Sequence, residues 1–164
     1  MIVVADTSPI NYLVLIDAIG VLPELYQTVV IPKAVFEELQ THETPEKVRI
    51  WVNNPHEWFK IEQATPLLDS DLSDLDKGER EAIFLSEYLK ADALVIDDRA
   101  GREEAKKRGI FVIGTLGVLN SATEKGLIDL PEALQKIRRT SFRASDRLIS
   151  QLLQVAANPK TKSE

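Results

Sequence analysis

Six acidic residues carry the chemical promise of this chain: Asp6, Glu37, Glu38, Glu79, Asp97 and Asp98. Asp6 ends the apolar run Ile2–Ala5, and Asp97 and Asp98 end a second apolar run over 93–96. Glu37 and Glu38 follow a β-branched run over 28–31, and Glu79 opens a helical stretch ahead of 93–96. Carboxylates drawn into one cleft repel one another and their proton affinities rise. A hard divalent cation relieves the repulsion, because Mg²⁺ and Mn²⁺ prefer oxygen ligands. An all-carboxylate site of that kind, with no protein nucleophile, suits phosphoryl transfer and phosphodiester hydrolysis. Thr7 and Ser8, next to Asp6, are placed to orient a water or a phosphate oxygen, and Arg99, next to Asp98, to meet a scissile phosphate.

Composition removes the competing chemistries. The chain has no cysteine, so thiolate catalysis, disulfides and Cys-ligated zinc are excluded. His42 and His56 are the only histidines, too few for a His-rich metal site. No glycine fingerprint or Walker-type loop follows Ala5. The 164 residues suit one domain, expected over 1–156 with a polar tail over 157–164. Lys and Arg total 20 against 26 Asp and Glu, a net charge of -6 that argues against a general nucleic-acid coat but not against an acid-lined nuclease. The first residues have no basic lead and meet Asp6 at once, so they read as a core strand rather than a signal peptide. With no apolar run near the ~20 residues of a membrane span, a cytoplasmic protein without membrane contact is expected.

Short apolar runs over 2–5, 28–31, 93–96 and 110–113 read as strands covered on both faces. The segment 58–63 reads as a further, edge strand. Helices are expected over 10–19, capped by Ser8 with Pro9 in the first turn, over 33–40, from Thr44-Pro45 to about 53, and over 77–89. Others are expected over 101–108, 116–124, 130–139 and 145–156, with 65–75 a loop or helical turn. Strands alternating with helices indicate an α/β/α sandwich around a small, mostly parallel sheet. Ligands in such folds bind beyond the C-terminal strand ends, where the acids stand.

Each acid also has an ordinary structural use. Asp6 suits an Asx cap, and one of Asp97 and Asp98 suits a helix cap. Asp76 and Glu79 form a capping-box pair, as do Asp129 and Glu132. Glu38 adjoins the Val35–Leu39 stripe that must pack on the sheet, whereas Glu37 points further away. Glu81, two residues from Glu79, faces elsewhere on its helix.

Together these stretches resemble the PIN-domain family of metal-dependent ribonucleases, particularly its small prokaryotic, toxin-type members. The resemblance rests on 3–10 (Val-Val-Ala-Asp-Thr-Ser-Pro-Ile), on 31–39 with Glu38, and on Gly78-Glu79-Arg80-Glu81-Ala82-Ile83 leading to Leu94-Val95-Ile96-Asp97-Asp98-Arg99. Gly114-Thr115-Leu116-Gly117 adds to it. It implies that Asp6, Glu38, Glu79 and Asp98 hold Mg²⁺ or Mn²⁺ and cut single-stranded or structured RNA; in-line attack of a metal-bound hydroxide at such a site would leave a 5′-phosphate and a 3′-hydroxyl. Many relatives carry Asp where this chain has Glu79, and Thr or Ser with Asn where it has Ile96-Asp97, so Asp97 stands as an alternate to Asp98. The resemblance further implies a homodimer and a small antitoxin as partner.

Basic residues concentrate over 136–147, where Lys136, Arg138, Arg139, Arg143 and Arg147 face only Asp146. Arg138, Arg139 and Arg143, with Arg102, are expected RNA contacts at the phosphates. Trp51, Trp58 and Phe59 read as packing residues rather than base-stacking platforms. Two other accounts compete: a non-catalytic PIN-like module that binds RNA or protein, and a receiver-like phosphoacceptor. The second lacks a Lys at the end of a later strand and leaves Glu38 and Glu79 without a role.

Overall fold

A computed structural model describes residues 1–64 and 72–157. The polar tail from 158 and most of the expected loop over 65–75 lie outside the described residues. Five strands, β1 (Ile2–Ala5), β2 (Thr28–Pro32), β3 (Phe59–Glu62), β4 (Ala93–Val95) and β5 (Val112–Ile113), form one sheet in the order β3-β2-β1-β4-β5. Every pairing is parallel, which sharpens the expectation of a mostly parallel sheet. The edge strand expected over 58–63 is β3.

Alternation along the strands divides the core. Val3, Ala5, Val29, Ile31, Ala93 and Val95 face one layer, and Val4, Val30, Leu94 and Ile96 face the other. The second layer is built from α5 (Lys77–Tyr88) and α6 (Arg99–Lys107), through Ala82, Ile83, Leu85 and Ala105. The first holds α1 (Thr7–Leu15), α2 (Val21–Leu25), α3 (Lys33–Glu38), α4 (Glu46–Asn53), α7 (Thr115–Glu124), α8 (Leu130–Arg138) and α9 (Asp146–Ala157). Trp51, Trp58 and Phe59 pack together against this layer, as expected for packing residues, with Trp51 and Phe59 edge-to-face at 4.9 Å.

Three local expectations are corrected. The expected helix over 10–19 starts and stops earlier, at Thr7 and Leu15, and Asp6 rather than Ser8 occupies its cap position in extended backbone. Asp17 at φ 60° turns the chain into α2, a short helix that its five residues were too few to signal by periodicity. At α8, Asp129 accepts from the Glu132 N–H at 3.1 Å, which is half of the expected capping box.

Acids also tie the layers together. Glu81 on α5 is buried and accepts from the Ala34 N–H at 3.3 Å, reaching the first turn of α3. Asp97, after β4, accepts from the Thr115 N–H at 2.8 Å and the Thr115 hydroxyl at 2.6 Å, fastening the start of α7. Thr115 is fully buried, so removing the carboxylate leaves two donors without water. Asp97→Ala is expected to cost about 2–3 kcal/mol in urea unfolding. Thr115→Val in the same background should add little, since the hydroxyl has already lost its acceptor.

Candidate active site

The sheet order reverses between β1 and β4: successive strands run outward from β1 through β2 to β3, then restart beside β1 at β4. Such a switch point opens a crevice beyond the C-terminal strand ends. Asp6 follows one of the two strands that flank it, and Asp98 follows the other. The backbone carries the ladder one residue further, with the Asp6 N–H donating to Val95 O at 2.9 Å.

Asp6 lies at the bottom of the crevice, 6 % exposed. Among the described residues no side chain donates to its carboxyl, and it makes no capping bond into α1; the neighbouring Thr7 N–H is its hydrogen-bond donor. Burial pushes its pKa up to about 8. The Thr7 N–H partly opposes this, and the charges of Asp76, Glu79 and Glu38 add to the rise. Glu79, in the first turn of α5, is pushed up to about 7, first by burial and then by Asp76 and Asp98. These two electrostatic neighbourhoods overlap, so Asp6, Glu38, Asp76, Glu79 and Asp98 form one continuous acidic field.

Local structure orients each member. Glu38 ends α3, and one of its carboxylate oxygens accepts the Thr7 hydroxyl at 2.8 Å, joining α1 to α3 across the crevice. Asp76 and Glu79 form the expected capping box. Asp76 accepts from the Glu79 N–H at 2.8 Å, and Glu79 accepts from the Asp76 N–H at 3.3 Å. Asp98 caps α6, accepting from the Gly101 N–H at 3.0 Å, and its side of the crevice is exposed. Gly78 packs beneath the acids. A Cβ there would meet a Glu38 oxygen at 3.1 Å, Val35 at 3.4 Å and an Asp76 oxygen at 3.5 Å.

The remaining candidates fall into place around this field. Glu37 points outward to Lys33 at 3.9 Å, as its helical phase requires. Asp97, the alternate to Asp98, has both oxygens on Thr115 and so works in the fold. Thr7 positions Glu38, while the half-buried Ser8 has no hydrogen-bond partner among the described residues. Arg99 is drawn along its own helix to Glu103 at 3.1 Å, an exposed i,i+4 pair, rather than to either crevice Asp. Arg102 donates to Ile96 O at 3.0 Å, and Arg138 pairs with Asp146 at 3.3 Å. Arg139 and Arg143 are exposed. Asp76 is the member that sequence reading missed as a site residue. Its place three residues before Glu79 was the signal, and it was absorbed by the capping role.

Among the described residues the acids at the crevice offer carboxylate oxygens, a donor set that suits Mg²⁺ or Mn²⁺. Among the described residues no group of three acidic or histidine side chains is arranged as a finished metal cage. The fit rests on Asp6: a buried carboxyl without a side-chain donor among the described residues, in the field of three other acids, is an arrangement that a cation would neutralise.

A five-stranded parallel sheet between two helical layers, with acids at its switch point, defines a PIN-like α/β/α domain. A family model described as PIN domain matches residues 2–158, and the chain belongs to that family. PIN domains are typically divalent-metal-dependent nucleases. The fold is shared with a PilT N-terminus domain protein from the hyperthermophilic archaeon Sulfolobus solfataricus P2. That match has 19 % identity and a TM-score of 0.55, and covers 74 % of this chain and 93 % of the other. No curated protein matches. Among the described residues no helix is long and apolar enough to cross a membrane.

The raised Asp6 pKa gives a signed test. Between the ordinary value of 3.8 and about 8, the unfolded chain has released this proton and the fold retains it. The metal-free fold therefore loses stability as pH rises through that window, by at most about 1.4 kcal/mol per pH unit from this group. Thermal melts in EDTA should show Asp6→Asn gaining on the parent from pH 4 to 8. A constant difference between the two proteins would place the Asp6 proton affinity in its ordinary range.

Proposed function

We propose that the chain is a divalent-metal-dependent endoribonuclease. The observation that carries this reading is the Asp6 carboxyl, buried at the switch point and surrounded by Glu38, Asp76 and Glu79. Asp6, Glu38, Glu79 and Asp98 would hold Mg²⁺ or Mn²⁺, with Asp76 supporting Glu79. When bound, such an ion lowers the pKa of water and stabilises the charge developing on the phosphoryl oxygens.

The chain's own groups prepare that chemistry. Asp6 is fixed by the strand ladder, so its carboxyl enters the crevice at a set depth. Thr7 engages one Glu38 oxygen and so orients that carboxylate. Proton affinities raised at Asp6 and Glu79 mean that loading a cation at neutral pH displaces protons. Ser8 has a hydroxyl available beside Asp6 to orient a water or a phosphate oxygen. RNA is the proposed substrate, and Arg139 and Arg143 supply exposed positive charge for its backbone. A toxin held by a small antitoxin, acting as a homodimer in the cytoplasm, is the setting this reading suits.

Cleavage of a mixed RNA pool with Mn²⁺, read at both new ends, tests the activity. Asp6→Asn is expected to lower the rate by at least ~100-fold, with 5′-phosphate and 3′-hydroxyl ends from the parent. Full activity in metal-cleaned Asp6→Asn protein would end the assignment. Gly78→Ala tests the crevice shape. Helix propensity alone would make the change stabilising by about 1 kcal/mol. The added methyl presses on Glu38, so Mn²⁺ affinity measured by calorimetry should fall by about tenfold, without a matching fall in melting temperature.

A further inference from the structure

A second concavity lies beside the acids. It has a volume of about 520 Å³, within the range of small-molecule sites. Its walls are largely apolar: Ile113 and Leu116 on one side, Phe142, Leu148 and Leu152 on the other. Its rim is polar, with Asp97, Arg102 and Arg143. The rim and the acidic crevice share one turn, because Asp97 immediately precedes Asp98 and Arg102 donates to the Ile96 carbonyl that ends the strand run. The cavity therefore adjoins the turn that carries Asp98.

Charge selects the occupant. With or without a cation in the crevice, Arg102 and Arg143 on the neighbouring rim supply positive charge that a phosphate strand can meet. Arg143 is exposed and has no ion pair among the described residues. Arg102 spends one nitrogen on Ile96 O, and a guanidinium has five N–H donors. Behind this cationic rim the walls offer aliphatic surface and the Phe142 ring, which suit a flat heterocycle, since every nucleobase has an apolar face. Gly114 keeps the rim close-packed: a Cβ there would stand 2.8 Å from an Arg102 nitrogen and 3.1 Å from an Asp97 oxygen.

We propose that this cavity seats a nucleobase of the single-stranded RNA being cut, at a nucleotide flanking the scissile phosphate, with Arg143 on that nucleotide's phosphate. The proposal rests on the nuclease reading above and adds a place where sequence preference would be set.

The test uses the full chain in EDTA, so that binding is read without cleavage. Fluorescence anisotropy compares a short labelled single-stranded RNA with the same strand made abasic. The parent should prefer the base-bearing strand by about tenfold. Leu148 is 42 % exposed at the cavity wall, and Leu148→Trp fills the space. That variant should lose the preference while binding the abasic strand like the parent. Arg143→Ala should weaken both strands and flatten the salt dependence by about one unit of slope. A measurement that needs no variant is the shift of the Leu148 and Leu152 methyl resonances on adding adenosine 5′-monophosphate. Equal affinity for both strands in the parent, with no methyl shift, overturns the proposal. If cleavage still depends on Asp6 in that case, the subsite alone has failed. Base-dependent binding without any cleavage would instead overturn the nuclease reading and leave the subsite standing.

Discussion

Burial of a carboxyl group among other carboxyl groups is the constraint around which this molecule is arranged. Burial of Asp6 would by itself favour the neutral acid, and Asp76, Glu79 and Glu38 push in the same direction. A fold that holds such a group gives up stability near neutral pH in the absence of a counter-charge. The parallel sheet makes the arrangement tolerable. Asp6 stands on the central strand, its backbone tied to β4, and the helices that bring the other acids are anchored on both sides of the sheet. The destabilising field is confined to one end, while two apolar layers hold the rest.

Acids elsewhere show what the same chemistry does when it is satisfied. Glu81, Asp97 and Asp129 each accept from a backbone N–H at or next to a helix start. They use the unpaired donors that every helix start presents. Asp76, Glu79 and Asp98 do both jobs, closing a helix end while projecting into the acidic field. Asp6 differs, since it sits at a cap position without making a side-chain cap. The distinction between a structural and a chemical carboxylate is thus drawn by hydrogen-bond partners rather than by residue type.

Much of this was legible in the chain. Apolar runs ending in Asp announced β1 and β4, and the phase of Glu38 against Val35 and Leu39 separated it from Glu37, which the Lys33 pair bears out. Other features depended on tertiary distances that periodicity does not encode. Asp97 and Asp98 are adjacent and chemically identical, and only the position of Thr115, a long way along the chain, assigns Asp97 to the fold. Asp76 satisfied a local rule so well that its part in the Asp6 field was hidden. Arg99 was placed near the crevice by sequence adjacency, but a helical neighbour, Glu103, captures it at i,i+4. The helix α2 was missed because five residues barely complete one turn.

The pairing of β1 with β4 has a consequence for the metrics of the crevice. Adjacent strands lie about 4.8 Å apart, a spacing fixed by backbone hydrogen bonds and common to all sheets. Asp6 and the turn carrying Asp98 leave neighbouring strands in register, with Ala5 beside Val95. The gauge across the site is therefore set by the peptide backbone and not by side-chain packing. Core substitutions can soften the protein without altering that gauge, whereas a single-residue insertion between Val95 and Asp98 would reset it. The sheet serves as a ruler as well as a scaffold.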